Sequence, residues 1–119
     1  MKKKIKVTIL IILTFLCLIQ IIIVTSNKID IHSKAEKYLI TTKGYTTKDI
    51  KHIKVEHTYM GKILGSGEYS LSVIFTDEPK ATYWYDYKNI HQTGISGMPF
   101  DGRVYKHAED ESLKYLYDK

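Results

Sequence analysis

Residues 7–24 read VTILIILTFLCLIQIIIV, 18 consecutive positions without a charge. At 1.5 Å per residue a helix of this run is about 27 Å long, close to the thickness of a hydrocarbon core. A chain of only 119 residues would struggle to bury such a helix on every side. We therefore read a transmembrane anchor over 7–24, preceded by a basic tail over 1–6 and followed by one α+β domain over 27–119. The span is longer than the 7–15 residue apolar stretch of a secretory signal, so retention is favoured over cleavage after Ser26. Lipid attachment at Cys17 is disfavoured, because Phe15 and Leu16 stand where a lipobox has small residues.

The formal charge of +5 is concentrated at one end: Lys2, Lys3, Lys4 and Lys6 precede the span, and 14 basic against 13 acidic residues follow it. Lysines on the short N-terminal flank point to a cytoplasmic N-terminus, a cell-membrane location and a domain outside. A nearly neutral domain lacks the basic footprint of a nucleic-acid binder, so nucleic acid is excluded as an expected partner. The exported part has no Cys and hence no disulfide. Within the span, Thr8, Thr14 and Gln20 recur in steps of six, about 240° apart on a helix, so they form no polar stripe, and there is no Gly for close helix pairing.

Beyond the span, Ile31, Ala35, Tyr38 and Leu39 fall at helical spacing and Gly44 is placed to end the helix. Whether this helix continues the anchor or restarts at Ser33, with Ser33 and Glu36 as a capping box, stays open. Period-two alternation then predicts strands: Ile53, Val55, His57 and Tyr59 share one face, as do Tyr69, Leu71, Val73 and Phe75. The intervening Gly61–Gly67 stretch reads as a loop and Asp77-Glu78-Pro79 as a turn. In the strand 81–88, pairing Val73 with Tyr83 puts Ala81, Tyr83, Tyr85 and Tyr87 inside; the alternative register would bury Asp86 and Lys88, at a cost of several kcal/mol. Asn89–Gln92 reads as a fourth strand or an extension, Gly94, Gly97 and Pro99 as a loop, and Leu113, Leu116 and Tyr117 as one face of a terminal helix. The expected architecture is α+β: the transmembrane helix, then a small helix packed on a three- to four-stranded antiparallel sheet.

The Lys-rich start and apolar helix, followed by AEKYLITTKGYTTKDIKHIK, YSLSVIFTDEPKATYWYDY and a late glycine-bearing loop, resemble the membrane-anchored proteins of the domain of unknown function family 3139. Tyr38-Leu39 to Gly44-Tyr45, and Phe75, Glu78, Pro79 and Tyr85 in the hairpin, carry the resemblance most specifically. It implies a small membrane protein of mainly Gram-positive bacteria, and it implies no catalytic residue.

The residues themselves suggest little chemistry. His52 and His57 differ in parity and face opposite sides of their strand, so no metal site is expected. Ser66, Ser70 and Ser72 have no positioned base beside them, and Asp77 and Glu78 read as turn residues. Gly61, Gly65 and Gly67 lack the Lys-Ser/Thr ending of a phosphate loop. No catalytic group and no cofactor is expected, and the reading is non-enzymatic. The candidate partner-binding surface is the outward sheet face around Ile74 and Trp84, unless the terminal helix covers it. The expected function is a membrane-tethered extracytoplasmic binding domain for a protein or peptide. The alternatives are an immunity or inhibitor protein against a secreted toxin or protease, and a lipid- or cell-wall-sensing accessory subunit.

Overall fold

The computed structural model describes residues 1–65, 67–100 and 102–115. The first helix, α1 (Lys2–Lys37), runs without a break through the apolar segment and into the domain, and a π-helical turn at Tyr38–Thr42 extends it. Continuation, the first of the two options, is therefore the one realised. Ser33 lies inside α1, where no capping box is needed. None of the apolar window is buried by the rest of the chain, and by length and composition α1 can cross a membrane.

Four antiparallel strands follow: β1 (Ile50–His57), β2 (Tyr69–Phe75), β3 (Glu78–Tyr85) and β4 (Gln92–Gly97), hydrogen-bonded in the order β1-β2-β3-β4. Val73 pairs with Tyr83, the register that keeps Asp86 and Lys88 off the core. The inward face carries Ile53, Leu71, Val73, Phe75, Ala81, Tyr83 and Tyr85, all buried, and the α1 stripe Ile31, Ala35 and Leu39 closes over it. Three residues at intervals of four on one helix face meet alternate residues of the sheet, which is how an α+β layer forms a single core.

Three local readings need correction. Tyr59 does not extend β1, and the glycine stretch is not all loop: Tyr59–Leu64 forms a short helix, α2, whose N-cap Thr58 accepts a hydrogen bond from Gly61 N at 3.4 Å. Thr at the cap and Gly65 in the left-handed region at its end (φ 76°) supply start and stop signals. The supposed turn loses Glu78 and Pro79 to β3, and that strand ends at Tyr85 because the Asp86 carboxylate accepts from Lys88 N (2.7 Å) and Asn89 N (3.2 Å). Those bonds hold the Asp86 carboxyl below its ordinary range. The fourth strand is Gln92–Gly97, across residues read as loop, since pairing with β3 outweighs the weak strand preference of Gly94 and Gly97. A last turn, α3 (Glu111–Lys114), begins at the Asp110 cap; Ser66, Leu116 and Tyr117 lie outside the described residues.

Gly61 packs with no space for a side chain: a Cβ there would lie 1.9 Å from the Gly67 carbonyl oxygen. Gly61→Ala is expected to cost about 1–3 kcal/mol, as overpacking does, and to lower the melting temperature by at least about 5 °C. An unchanged melt would mean that α2 can leave the sheet at no cost.

Candidate outer sheet face and inner polar cluster

The outward side of the sheet presents Lys54 and Glu56 from β1, Ser70, Ser72 and Ile74 from β2, Thr82 and Trp84 from β3, and Ser96 from β4. Lys54 and Glu56 pair at 2.8 Å and offset each other, and Lys80 adds an exposed cation from β3. Trp84 stands opposite Ser72, is 37% exposed, and donates from Nε1 to Ser96 Oγ at 2.9 Å. Ile74 is half-buried, and the register shift after Val73 leaves it without a direct partner on β3. The two candidate residues thus share a face. They occupy diagonal positions, which in a regular ladder lie about 7–8 Å apart.

The described C-terminal segment reaches inward residues: Tyr105 Oη donates to Gly97 O (2.6 Å), His107 stacks on Phe75 (centroids 3.9 Å apart), and Glu109 N donates to Gln92 Oε1 (2.9 Å). Helix and described tail therefore pack on one face of the sheet, and Trp84 stands partly exposed on the other.

That inner side contains a polar cluster which sequence reasoning missed. Glu78 is fully buried. Its parity along β3 would turn it outward, but the bulge between the Phe75–Glu78 and Val73–Tyr83 pairs reverses it. Its Oε1 accepts from Tyr83 Oη and from Lys106 N (3.0 Å), and its Oε2 accepts from Phe100 N (3.1 Å). Tyr83 Oη in turn accepts from His107 N at 3.2 Å. Beside it, His107 Nε2 meets Asp77 Oδ1 at 2.7 Å and Nδ1 meets Tyr45 Oη at 2.9 Å. Farther along, Gln92 Nε2 donates to Tyr85 Oη (3.2 Å) and His107 O (3.0 Å), while Tyr38 Oη donates to Glu109 Oε2 (2.9 Å). The Glu109 Oε1 atom is buried without a hydrogen-bond partner among the described residues.

An Asp77–His107–Tyr45 line has the outline of a proton relay, but its electrostatics oppose nucleophile activation. Burial, followed by the nearby carboxylates of Glu109, Asp77, Asp49 and Glu78, pushes the Tyr45 phenol up to about 12. An activated nucleophile needs the opposite shift. The His107 ring, held between Asp77 and Tyr45, is a clamp that ties helix end, hairpin and tail together.

The remaining site readings fall as follows. His52 stands opposite Ile74 and His57 opposite Tyr69, on opposite faces; His57 Nε2 meets Glu68 Oε1 at 3.0 Å. Among the described residues no group of three or more His, Cys, Asp or Glu is placed to hold a metal ion. Between α1 and the free edge of β1 runs a shallow groove of about 380 Å³, lined by Lys28, Ile29, His32 and the β1 residues His52–Val55.

No curated protein and no solved structure matches the chain. The family described as "Protein of unknown function (DUF3139)" matches residues 2–85. The match takes in α1, the first three strands, Glu78, Tyr83, Ile74 and Trp84, and it ends before β4, so the late glycine-bearing loop and the tail residues of the polar cluster lie beyond it. With well over half of its length matched, and with the helix and hairpin that carried the resemblance inside the match, the chain belongs to the DUF3139 family.

Proposed function

We propose that this chain is a non-enzymatic interaction module tethered to the cell membrane, with residues 1–6 cytoplasmic, α1 spanning, and the α+β domain offering its outer sheet face to a protein or peptide outside. The observation that carries the reading is one-sided coverage: α1 and the described tail both pack on the inner face, while Trp84 remains exposed on the other. An aromatic and an aliphatic side chain set among Ser70, Thr82 and Ser96, with Lys54 and Glu56 offsetting each other, have the chemistry of a small protein-binding patch with a polar rim. Such patches concentrate their energy in one or two anchors, Trp above all.

The test is a crosslinking pull-down of the full-length protein from native membranes, comparing the natural chain with the Trp84→Ala, Ile74→Ser double variant. Truncating an anchor removes at least about 2 kcal/mol of binding, roughly a thirtyfold loss of capture. Trp84→Ala alone gives up one exposed hydrogen bond and the packing of a partly buried indole, so it should cost about 1–3 kcal/mol of folding stability, and circular dichroism verifies that the variant stays folded. A partner retained by the folded double variant would move the contact off this face. With no partner captured at all, the protein-binding reading fails.

A further inference from the structure

The domain sits against α1 at a defined height. Val24, the last residue of the apolar run, packs against the domain core, and Asn27 Nδ2 donates to Tyr69 Oη at 3.0 Å. Asn27 is three residues past Val24, about 4.5 Å along the helix, so the Tyr69 end of β2 stands just above the end of the apolar run. The opposite end of β2 lies far from it, where Phe75 meets Tyr45 beyond the last turn of the helix (centroids 4.8 Å). β1 therefore descends toward the membrane end, β2 returns from it, and the connection between them is the lowest part of the domain. That connection is α2, closed by Thr58 N donating to Glu68 O at 2.8 Å.

α2 is apolar on the side that faces away from the protein. Met60, Ile63 and Leu64, at positions i, i+3 and i+4, are 63%, 77% and 71% exposed, and Tyr59 beside them is 55% exposed. The other side is tied down at Gly61 against Gly67. Lys62, paired with Glu68 at 3.9 Å, and Lys88 of the adjoining β3–β4 loop border the same end. Exposed aliphatics, a tyrosine and lysines at one level have the composition of a membrane interface. An isolated apolar cluster in water would be a liability. The height set by the Asn27–Tyr69 contact names its occupant.

We propose that α2 is an interfacial anchor: Met60, Ile63 and Leu64 enter the headgroup region of the bilayer that α1 crosses, so the domain meets the membrane at two points. This rests on α1 spanning the bilayer. With two points of attachment the sheet cannot swing freely about α1, and its outer face is held at a fixed orientation to the membrane surface.

The test uses the full-length chain in vesicles of phosphatidylcholine and phosphatidylglycerol. Trp84 is the only tryptophan, so Trp84→Phe provides a silent background for one tryptophan at a time, introduced by Ile63→Trp, Leu64→Trp or Ile19→Trp. Nitroxide lipids labelled near the headgroup or at mid-chain report depth. Ile63→Trp and Leu64→Trp should each lose about half of their emission to the shallow label, as insertion by roughly 5–10 Å requires. Ile19→Trp should be quenched by the deep label, and native Trp84 by neither. Both positions exposed at these sites tolerate a larger side chain, so agreement between them guards against a local distortion. If Ile19→Trp is quenched while both α2 variants are not, the interfacial anchor is overturned and the spanning helix stands; shielding of α2 from lipid and from aqueous iodide alike would assign the patch to a second copy or a protein. If Ile19→Trp escapes quenching as well, the spanning reading fails and takes the anchor with it.

Discussion

Glu78→Ala should unfold a large share of the domain. The substitution removes the acceptor for three donors, Tyr83 Oη, Lys106 N and Phe100 N, and leaves a void beneath the tail. Each donor left without a partner costs about 1–3 kcal/mol where water cannot reach it, and the void adds to that, for a total of about 3–5 kcal/mol. Against a native stability of about 5–15 kcal/mol, that is a shift from almost wholly folded to marginal. Glu78→Gln keeps an acceptor at one terminal atom and turns the other into a donor facing a donor, so about 1–3 kcal/mol is expected. Denaturant melts of the full-length chain in micelles, followed by circular dichroism, would rank the three proteins. Equal midpoints for Glu78→Ala and the natural chain would remove the buried carboxylate as the joint between hairpin and tail. Amide exchange adds a local reading, with protection at Phe100 and Lys106 falling in Glu78→Gln before protection on β2 does.

The contrast between what was legible in the residues and what was not follows the range of the forces involved. The β2–β3 register could be read because it turns on local pattern and on the cost of burying Asp86 and Lys88. The stripe Ile31, Ala35 and Leu39 was readable for the same reason, as periodicity on one helix. Glu78 was not, because its inward position depends on a bulge: three more residues on β3 than on β2 between paired positions reverse the parity that sequence reading assumes. The resemblance singled out Glu78 and Pro79 without saying why; Pro79 is tolerated because the bulge takes it out of the regular ladder. α2 was hidden by its glycines, one of them used for close packing and the other as a stop. β4 was hidden by Gly94 and Gly97, which pair with β3 despite their weak strand preference, Gly97 at the strand's end with φ 86°. The tail's contacts with Tyr38, Tyr45 and Gln92 link residues far apart in the chain, and no window of sequence contains both partners.

The candidate surface shows the same division. Alternation placed Ile74 and Trp84 on the outward face, and both are there. Sequence could not say that the described tail docks on the inner side, because that docking follows from Glu78 being turned inward and from Gln92 meeting His107 O and Glu109 N. One misplaced carboxylate thus decides which face of the sheet is covered. The polar joint lies on the inner side, and Trp84 stands partly exposed on the outer one.

Alkaline pH should unfold the domain through four phenols. Tyr38 is raised to about 12 by burial and by its hydrogen bond to Glu109, and Tyr45 to about 12 by burial and the carboxylates around it. Tyr83 and Tyr85 are pushed higher still, chiefly by burial. For an acid whose folded value lies above its unfolded value near 10, the stabilisation is complete below pH 10. It is lost as pH rises toward the folded values, because only the unfolded chain then releases its protons. Each fully buried phenol tilts the balance by about 1.4 kcal/mol per pH unit, so Tyr83 and Tyr85 together take away about 2.7 kcal/mol per unit above pH 10. Tyr38 and Tyr45, more open to solvent, add less. A domain of ordinary stability should therefore lose its sheet between about pH 11 and pH 13. The check is a base titration in which phenolate absorbance and far-ultraviolet circular dichroism are recorded on the same sample. The last phenols should ionise only as the sheet signal disappears, and both should return together on back-titration. Ionisation of all ten tyrosines with the sheet intact would mean that the inner face admits water and hydroxide, and the clamp of Tyr45, His107 and Asp77 would then be too loose to hold the tail.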